Sequence, residues 1–165
     1  MDKATEASMA NDELALPLAA VISALKQGLG DRLVAVVLFG SRARGEADDH
    51  SDWDLLLIAH DLPPKPFQRH LQLKQMLPAD WRGKVAILAK TPVEFESHLS
   101  SLFLDIALDG IILYDSQDYM ASRLGRLRRL IRDQGLQRIQ EQRDLVWRWR
   151  RFPGFDWSLE WEMAR

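Results

Sequence analysis

V-V-L-F-G-S-R-A-R-G-E-A-D-D-H-S-D-W-D-L-L-L-I, from Val36 to Ile58, is the stretch on which the rest of the chain depends. It opens with a hydrophobic run ending at Phe39, turns at Gly40-Ser41, and enters a second hydrophobic run through Asp52 and Asp54. In a strand, residues at i and i+2 leave the same face, so the two aspartates share one face and Trp53 takes the other. Their Cα atoms then lie roughly 6.5–7 Å apart, within reach of one shared hard cation. Two carboxylates at that spacing repel unless a positive charge lies between them. Mg²⁺, which takes oxygen ligands and commonly brings phosphates with it, suits the gap.

Gly40 lets the backbone turn closely past a ligand, and the Ser41 hydroxyl with the amides that follow can bind phosphate oxygens. Arg42 and Arg44 add positive charge beside that turn. Strand, Gly-Ser turn, basic turn and paired-Asp strand together read as a cradle for a metal-bound nucleoside triphosphate. The competing reading is an ordinary strand-turn-strand with a charged loop.

The pattern Gly40-Ser41, then Arg42 to Ser51, then Asp52-Trp53-Asp54 resembles the signature of the nucleotidyltransferase superfamily that includes DNA polymerase beta. It is most similar to the minimal nucleotidyltransferase (MNT) branch, with looser similarity from about Leu14 to about Tyr114. The resemblance implies an α/β (α+β) nucleotidyltransferase fold, a mixed β-sheet with helices mainly on one face. It also implies that Asp52 and Asp54 are catalytic and hold Mg²⁺, with Gly40, Ser41, Arg42 and Arg44 against the nucleotide. The implied reaction moves a nucleoside monophosphate, AMP if ATP is the substrate, onto a hydroxyl acceptor. In this branch the acceptor is often a partner protein, such as a HEPN-type toxin neutralised by its MNT antitoxin.

One departure from the family pattern counts against catalysis. The superfamily uses a third carboxylate on a later strand, immediately before a Thr-Pro-Glu-Phe-like helix start. Here that strand is Lys84-Val85-Ala86-Ile87-Leu88, and the matching position is Ala86. Asp80, Glu94 and Glu96 are the nearby acids, none at the matching position. Whether the chain is an enzyme therefore stays open. The alternative is a catalytically impaired nucleotide-binding or protein-docking module.

The chain's 165 residues suit one compact domain with an appended element, and 47% hydrophobic with 28% charged residues is a globular composition. With no cysteine there are no disulfides or thiolate metal sites. No signal-type N-terminus and no run of roughly 20 apolar residues occurs, so the expected location is the cytoplasm and no membrane partner is expected. His50, His60, His70 and His98 lack metal-ligand spacing.

The chain divides into three regions: residues 1–12, small and polar, expected to be disordered; 13–116, the nucleotidyltransferase domain; and 117–165, a basic, Trp-rich helical extension. Helical spacing is read from Pro17 through Leu29, from Pro66 to Met76, and from Phe95 through Ile106 behind a Thr91-Pro92-Val93-Glu94 capping box. Strands are expected at Leu33–Phe39, Asp52–Ala59, Lys84–Ala89 and Ile111–Tyr114. In the extension, Leu124, Leu127, Leu130 and Ile131 line one helix, and Leu136, Ile139, Val146 and Trp149 suggest a second. Up to Met120 there are 11 Lys+Arg against 18 Asp+Glu; from Ala121 to Arg151 there are ten arginines against three acids. This basic arm is a solvated helix face or the docking surface for a protein partner; the acidic body argues against nucleic acid.

Overall fold

The structure is a computed structural model that describes residues 14–142, 144–151 and 161. The expected disorder of residues 1–12 and most of the Trp-rich end of the extension lie outside the described residues. After a 3₁₀ turn at Leu16–Leu18, whose Pro17 presets the first φ, comes helix α1 (Ala19–Leu29). Strand β1 (Leu33–Phe39) runs into the single-turn helix α2 (Gly40–Ala43), and β2 (Trp53–Ala59) returns antiparallel to β1. Helix α3 (Pro66–Met76) crosses over to β3 (Val85–Lys90), which lies parallel to β2. Helices α4 (Pro92–Ser97) and α5 (Ser101–Asp109) lead to the antiparallel strand β4 (Ile111–Asp115). The sheet order is β3-β2-β1-β4, a mixed sheet as expected.

The mixed sheet with packed helices is the α/β nucleotidyltransferase fold expected, and its helices cover both faces. On one face α1 and α3 pack Val21, Leu25 and Leu73 against Val36, Leu38, Leu55 and Leu57. On the other, α4, α5 and helix α6 (Tyr119–Asp133) pack Phe95, Phe103, Leu124 and Leu127 against Val37, Leu56 and Ile58. β1 and β2 are continuous apolar runs because alternate residues of each strand are buried on opposite faces.

The continuous helix expected from Phe95 through Ile106 is broken. His98 and Ser100 are extended, and Leu99 between them is buried. The break brings Phe95 and Phe103 to 4.6 Å between ring centroids. A Cβ on Gly110 would meet the Ile106 carbonyl at 2.4 Å and Val37 Cγ1 at 2.9 Å, so glycine is what lets α5 turn this tightly into β4.

The second expected helix of the extension is instead a β-hairpin, β5 (Leu136–Glu141) and β6 (Asp144–Trp149). Leu136, Arg138, Trp147 and Trp149 fall on one face of it, and Leu136, Trp147 and Trp149 pack on the α4–α6 core. Trp161 lies on Phe95 at 5.1 Å between ring centroids. Among the described residues no helix is long and apolar enough to cross a membrane.

Candidate functional site

The paired aspartates stand at the end of the sheet where β1 stops and β2 begins. Asp54 is in β2, opposite Phe39 of β1 and beside Ala86 of β3. Strand parity puts Asp54 on the same face as Leu56 and Ile58, and Trp53 on the face of Leu55, as the sequence spacing predicts. Asp52 immediately precedes the strand and is exposed.

Gly40 forms the floor under Asp54. It adopts φ +76°, and a Cβ there would stand 2.4 Å from Asp54 Oδ2. The carboxylate therefore lies in a cradle that any other residue at position 40 would fill. Burial raises the Asp54 carboxyl above its ordinary value, the neighbouring Asp52 charge raises it further, and Arg44 partly offsets both. Like-charge repulsion and desolvation both disfavour an ionised Asp54 alone, and a cation shared with Asp52 would relieve each of them. The residues present thus fit a hard divalent cation with phosphate oxygens completing its shell. Among the described residues no group of three or more His, Cys, Asp or Glu forms a fuller metal centre.

The structure brings Gly40, Ser41, Asp52 and Asp54 to one end of the sheet and gives the two arginines different partners. Ser41 carries a hydroxyl with no hydrogen-bond partner among the described residues, while its carbonyl accepts from the Glu46 amide at 2.9 Å. Arg44 pairs with Glu46 at 2.7 Å and stays near Asp54. Arg42, expected beside the triphosphate, directs Nε and Nη2 to the Ser51 carbonyl at 3.0 and 2.6 Å. Its guanidinium also lies over the Trp53 ring, 4.3 Å from the centroid.

The turn before Asp52 is closed locally. The Asp48 amide donates to the Ser51 hydroxyl at 3.0 Å, and that hydroxyl and the His50 amide both lie 2.9 Å from Asp48 Oδ1. These bonds hold the Asp48 carboxyl below its ordinary value, the Ser51 hydroxyl contributing most. His50 is an exposed turn residue.

The parallel register makes the missing acid explicit. Ala86 is the residue paired with Asp54, so a carboxylate there would face the same site. Two of the nearby acids are engaged elsewhere. Glu94 completes the capping box with Thr91 and receives Arg69 on both oxygens, at 2.8 and 3.0 Å; the Arg69 hydrogen bonds lead the causes that lower its carboxyl to about 2. Glu96 accepts from Tyr119 and Arg123. Sequence reasoning missed Ser51 and Trp81; the latter packs edge-on to Trp53 at 6.0 Å. An arginine directly after a Gly-Ser turn and a tryptophan between two aspartates were the available signals.

A mixed sheet with a Gly-Ser turn facing an Asp-x-Asp strand defines a nucleotidyltransferase fold. Residues 21–119 match the family described as Polymerase beta, Nucleotidyltransferase, and the chain belongs to that family. A protein of Methanocaldococcus jannaschii, named as a candidate protein adenylyltransferase, is 35% identical over 114 residues, covering 65% of this chain and 76% of that one. A crystal structure of a toxin-antitoxin with AMP-PNP is 19% identical, with TM-score 0.52 over 70% of this chain and 86% of that one. The structure of a tri-AMPylated Shewanella oneidensis HEPN toxin in complex with MNT antitoxin is 16% identical, with TM-score 0.47 over 76% and 87%. At 19% identity the likeness to the first of these two structures bears on the fold alone.

Proposed function

We propose that this chain binds a magnesium-bound nucleoside triphosphate, ATP first, and transfers its AMP to a hydroxyl on a partner protein. The observation that carries the reading is the Asp54 carboxylate seated over Gly40 beside Asp52, an arrangement that costs stability unless it holds a cation. The adenylyltransferase name of the Methanocaldococcus relative supports AMP as the group moved. AMP-PNP in a toxin-antitoxin of the same fold supports both the nucleotide and a protein partner. The resemblance of the Gly-Ser and Asp-x-Asp motifs to the MNT branch makes a HEPN-type toxin the leading candidate.

In this reading Asp52 and Asp54 hold the divalent cation, Gly40 lets the triphosphate approach the backbone, Ser41 donates its hydroxyl to a phosphate oxygen, and Arg44 offsets charge at the rim. The acceptor oxygen forms a bond to the α-phosphorus as the bond to the bridging oxygen breaks, and pyrophosphate leaves with that electron pair. The cation supplies charge neutralisation on the phosphates. The acceptor proton passes to solvent or to the partner, because Ala86 stands where a third carboxylate would take it.

Ala86 also favours a second reading, a nucleotide-binding or docking module without transfer. Label transfer separates the two: protein, Mg²⁺ and α-labelled ATP with extract from its own source, against Asp52→Asn. Label on a protein that disappears with Asp52→Asn supports transfer. Mg²⁺-dependent ATP binding without label supports the module, and absence of that binding by calorimetry overturns both nucleotide readings.

A further inference from the structure

Asp54 and Asp52 are held in different ways. Asp54 is fixed by the β1 and β3 registers on either side of it. Asp52 precedes the strand, is exposed, and makes no hydrogen bond or ion pair among the described residues. What fixes it are the peptide groups flanking it. The Trp53 amide after it donates to the Lys84 carbonyl at 2.8 Å. The Ser51 carbonyl before it receives Arg42 twice, at 3.0 and 2.6 Å. Nε with one terminal nitrogen is the guanidinium edge that makes bidentate anion contacts, and here that edge is occupied by a carbonyl. The guanidinium also lies over the Trp53 ring, 4.3 Å from its centroid, so the residue on the far side of Asp52 helps hold the clasp.

We propose that Arg42 is a positioning residue: from the turn after Gly40 it clasps the Ser51 carbonyl and fixes where Asp52 stands, instead of binding the triphosphate itself. The inference rests on Asp52 being a metal-holding residue. It assigns the basic residue after the Gly-Ser turn to the carboxylate pair across the loop, joining the two halves of the site. Lysine at this position could not make the two-pronged contact that Nε and Nη2 make together.

The test uses the full chain with Arg42→Ala and Arg42→Lys, read first by amide hydrogen exchange. Exchange of the Ser51 and Trp53 amides is expected to rise about tenfold in Arg42→Ala and less in Arg42→Lys, with β1 protection unchanged. Calorimetry of ATP binding then separates clasp from ligand. The Mg²⁺ needed for half-saturation is expected to rise about tenfold, while ATP affinity in EDTA stays within about twofold. On an Asp52→Asn background, Arg42→Ala should add less than about twofold, since nothing remains to position. Unchanged exchange, or an equal loss of affinity with and without Mg²⁺, overturns the proposal; the latter makes Arg42 a phosphate ligand. If wild type shows no Mg²⁺-dependent binding, the nucleotide reading fails, while the exchange result still decides the clasp. If Arg42→Ala does not fold, Arg42→Lys carries the same comparison.

Discussion

At the scale of single residues, the site trades stability for charge placement, and Gly40 and Asp54 show how. Alanine at position 40 meets two penalties: a left-handed backbone at φ +76° and a Cβ 2.4 Å from Asp54 Oδ2. Gly40→Ala should cost about 1–2 kcal/mol for the backbone alone, lower the Tm by about 2–8 °C, and push the carboxylate out of place, so that Mg²⁺-ATP affinity falls. Gly45 is the control, with φ +71° and nothing within 4 Å of where a Cβ would stand; Gly45→Ala should lower the Tm and leave nucleotide binding intact. Asp54 tests the electrostatic side. Its folded carboxyl is raised above the ordinary value of 3.8, so folding favours the protonated form. Ionised Asp54 therefore destabilises the cation-free protein at neutral pH, and that penalty fades as pH falls toward 3.8. Asp54→Asn in EDTA should raise the Tm by about 1–3 °C at pH 7.5 and by less near pH 4, while removing Mg²⁺-dependent ATP binding. Calorimetry with unchanged or lowered Tm at pH 7.5 would contradict the assigned repulsion.

At the scale of elements, β3 and the hairpin depend on side chains that reach between elements. β3 is an edge strand, and α3 covers its outer carbonyls: Lys74 Nζ bonds the Val85 carbonyl, and Arg69 donates to the Ala89 carbonyl at 2.9 Å. Such covering blocks pairing with another chain along that edge. The hairpin has only two strands, too few to be stable alone. It is held on α5 by Arg138 to Asp109 at 2.8 Å and by Trp147 Nε1 to Asp105 at 3.0 Å. Arg138→Ala should release it, with amide exchange across residues 136–149 rising while β1 and β2 stay protected; unchanged exchange would show that Leu136 and the tryptophans suffice. These elements also show where the sequence is legible. β1, β2 and the Thr91 capping box are local signals, continuous apolar runs and a four-residue motif; β1 and the box appear as read, and β2 starts one residue later, at Trp53. The hairpin reads as a helix because Leu136, Ile139, Val146 and Trp149 mimic helical spacing. Its inward face includes Arg138, which interrupts the apolar alternation, and its turn uses Gln142 at φ +55° with no glycine to mark it. Arg42 is visible after the Gly-Ser turn but its partner is not, because the clasp joins residues nine apart through a loop whose closure no local pattern specifies.

At the scale of the whole molecule, the acidic body and basic extension answer one another within the chain. Arg123 pairs with Glu96, and Arg138 with Asp105 and Asp109, so part of the charge asymmetry serves to dock the extension on its own domain. Arg126 and Arg129 make no ion pair among the described residues. The apolar side is less divisible still. Met120, Leu124, Leu127, Leu130 and Ile131 of α6 belong to the same cluster as Val37 and Leu56 of the central strands. Burying each side chain contributes about 1.5–3 kcal/mol, so α6 as a whole rivals the roughly 5–15 kcal/mol net stability of a typical domain. A chain ending at Ser116 should therefore show no cooperative thermal transition, although it retains every residue of the candidate site. A chain ending at Gln134 keeps α6 and loses only the hairpin and the C-terminal residues beyond it; it should melt cooperatively at a lower temperature and still bind Mg²⁺-ATP. Circular dichroism melts of the two truncations decide the matter. A chain ending at Ser116 that melted like the full-length protein would mean that the sheet and its first five helices form a sufficient core, and that α6 is a separable arm.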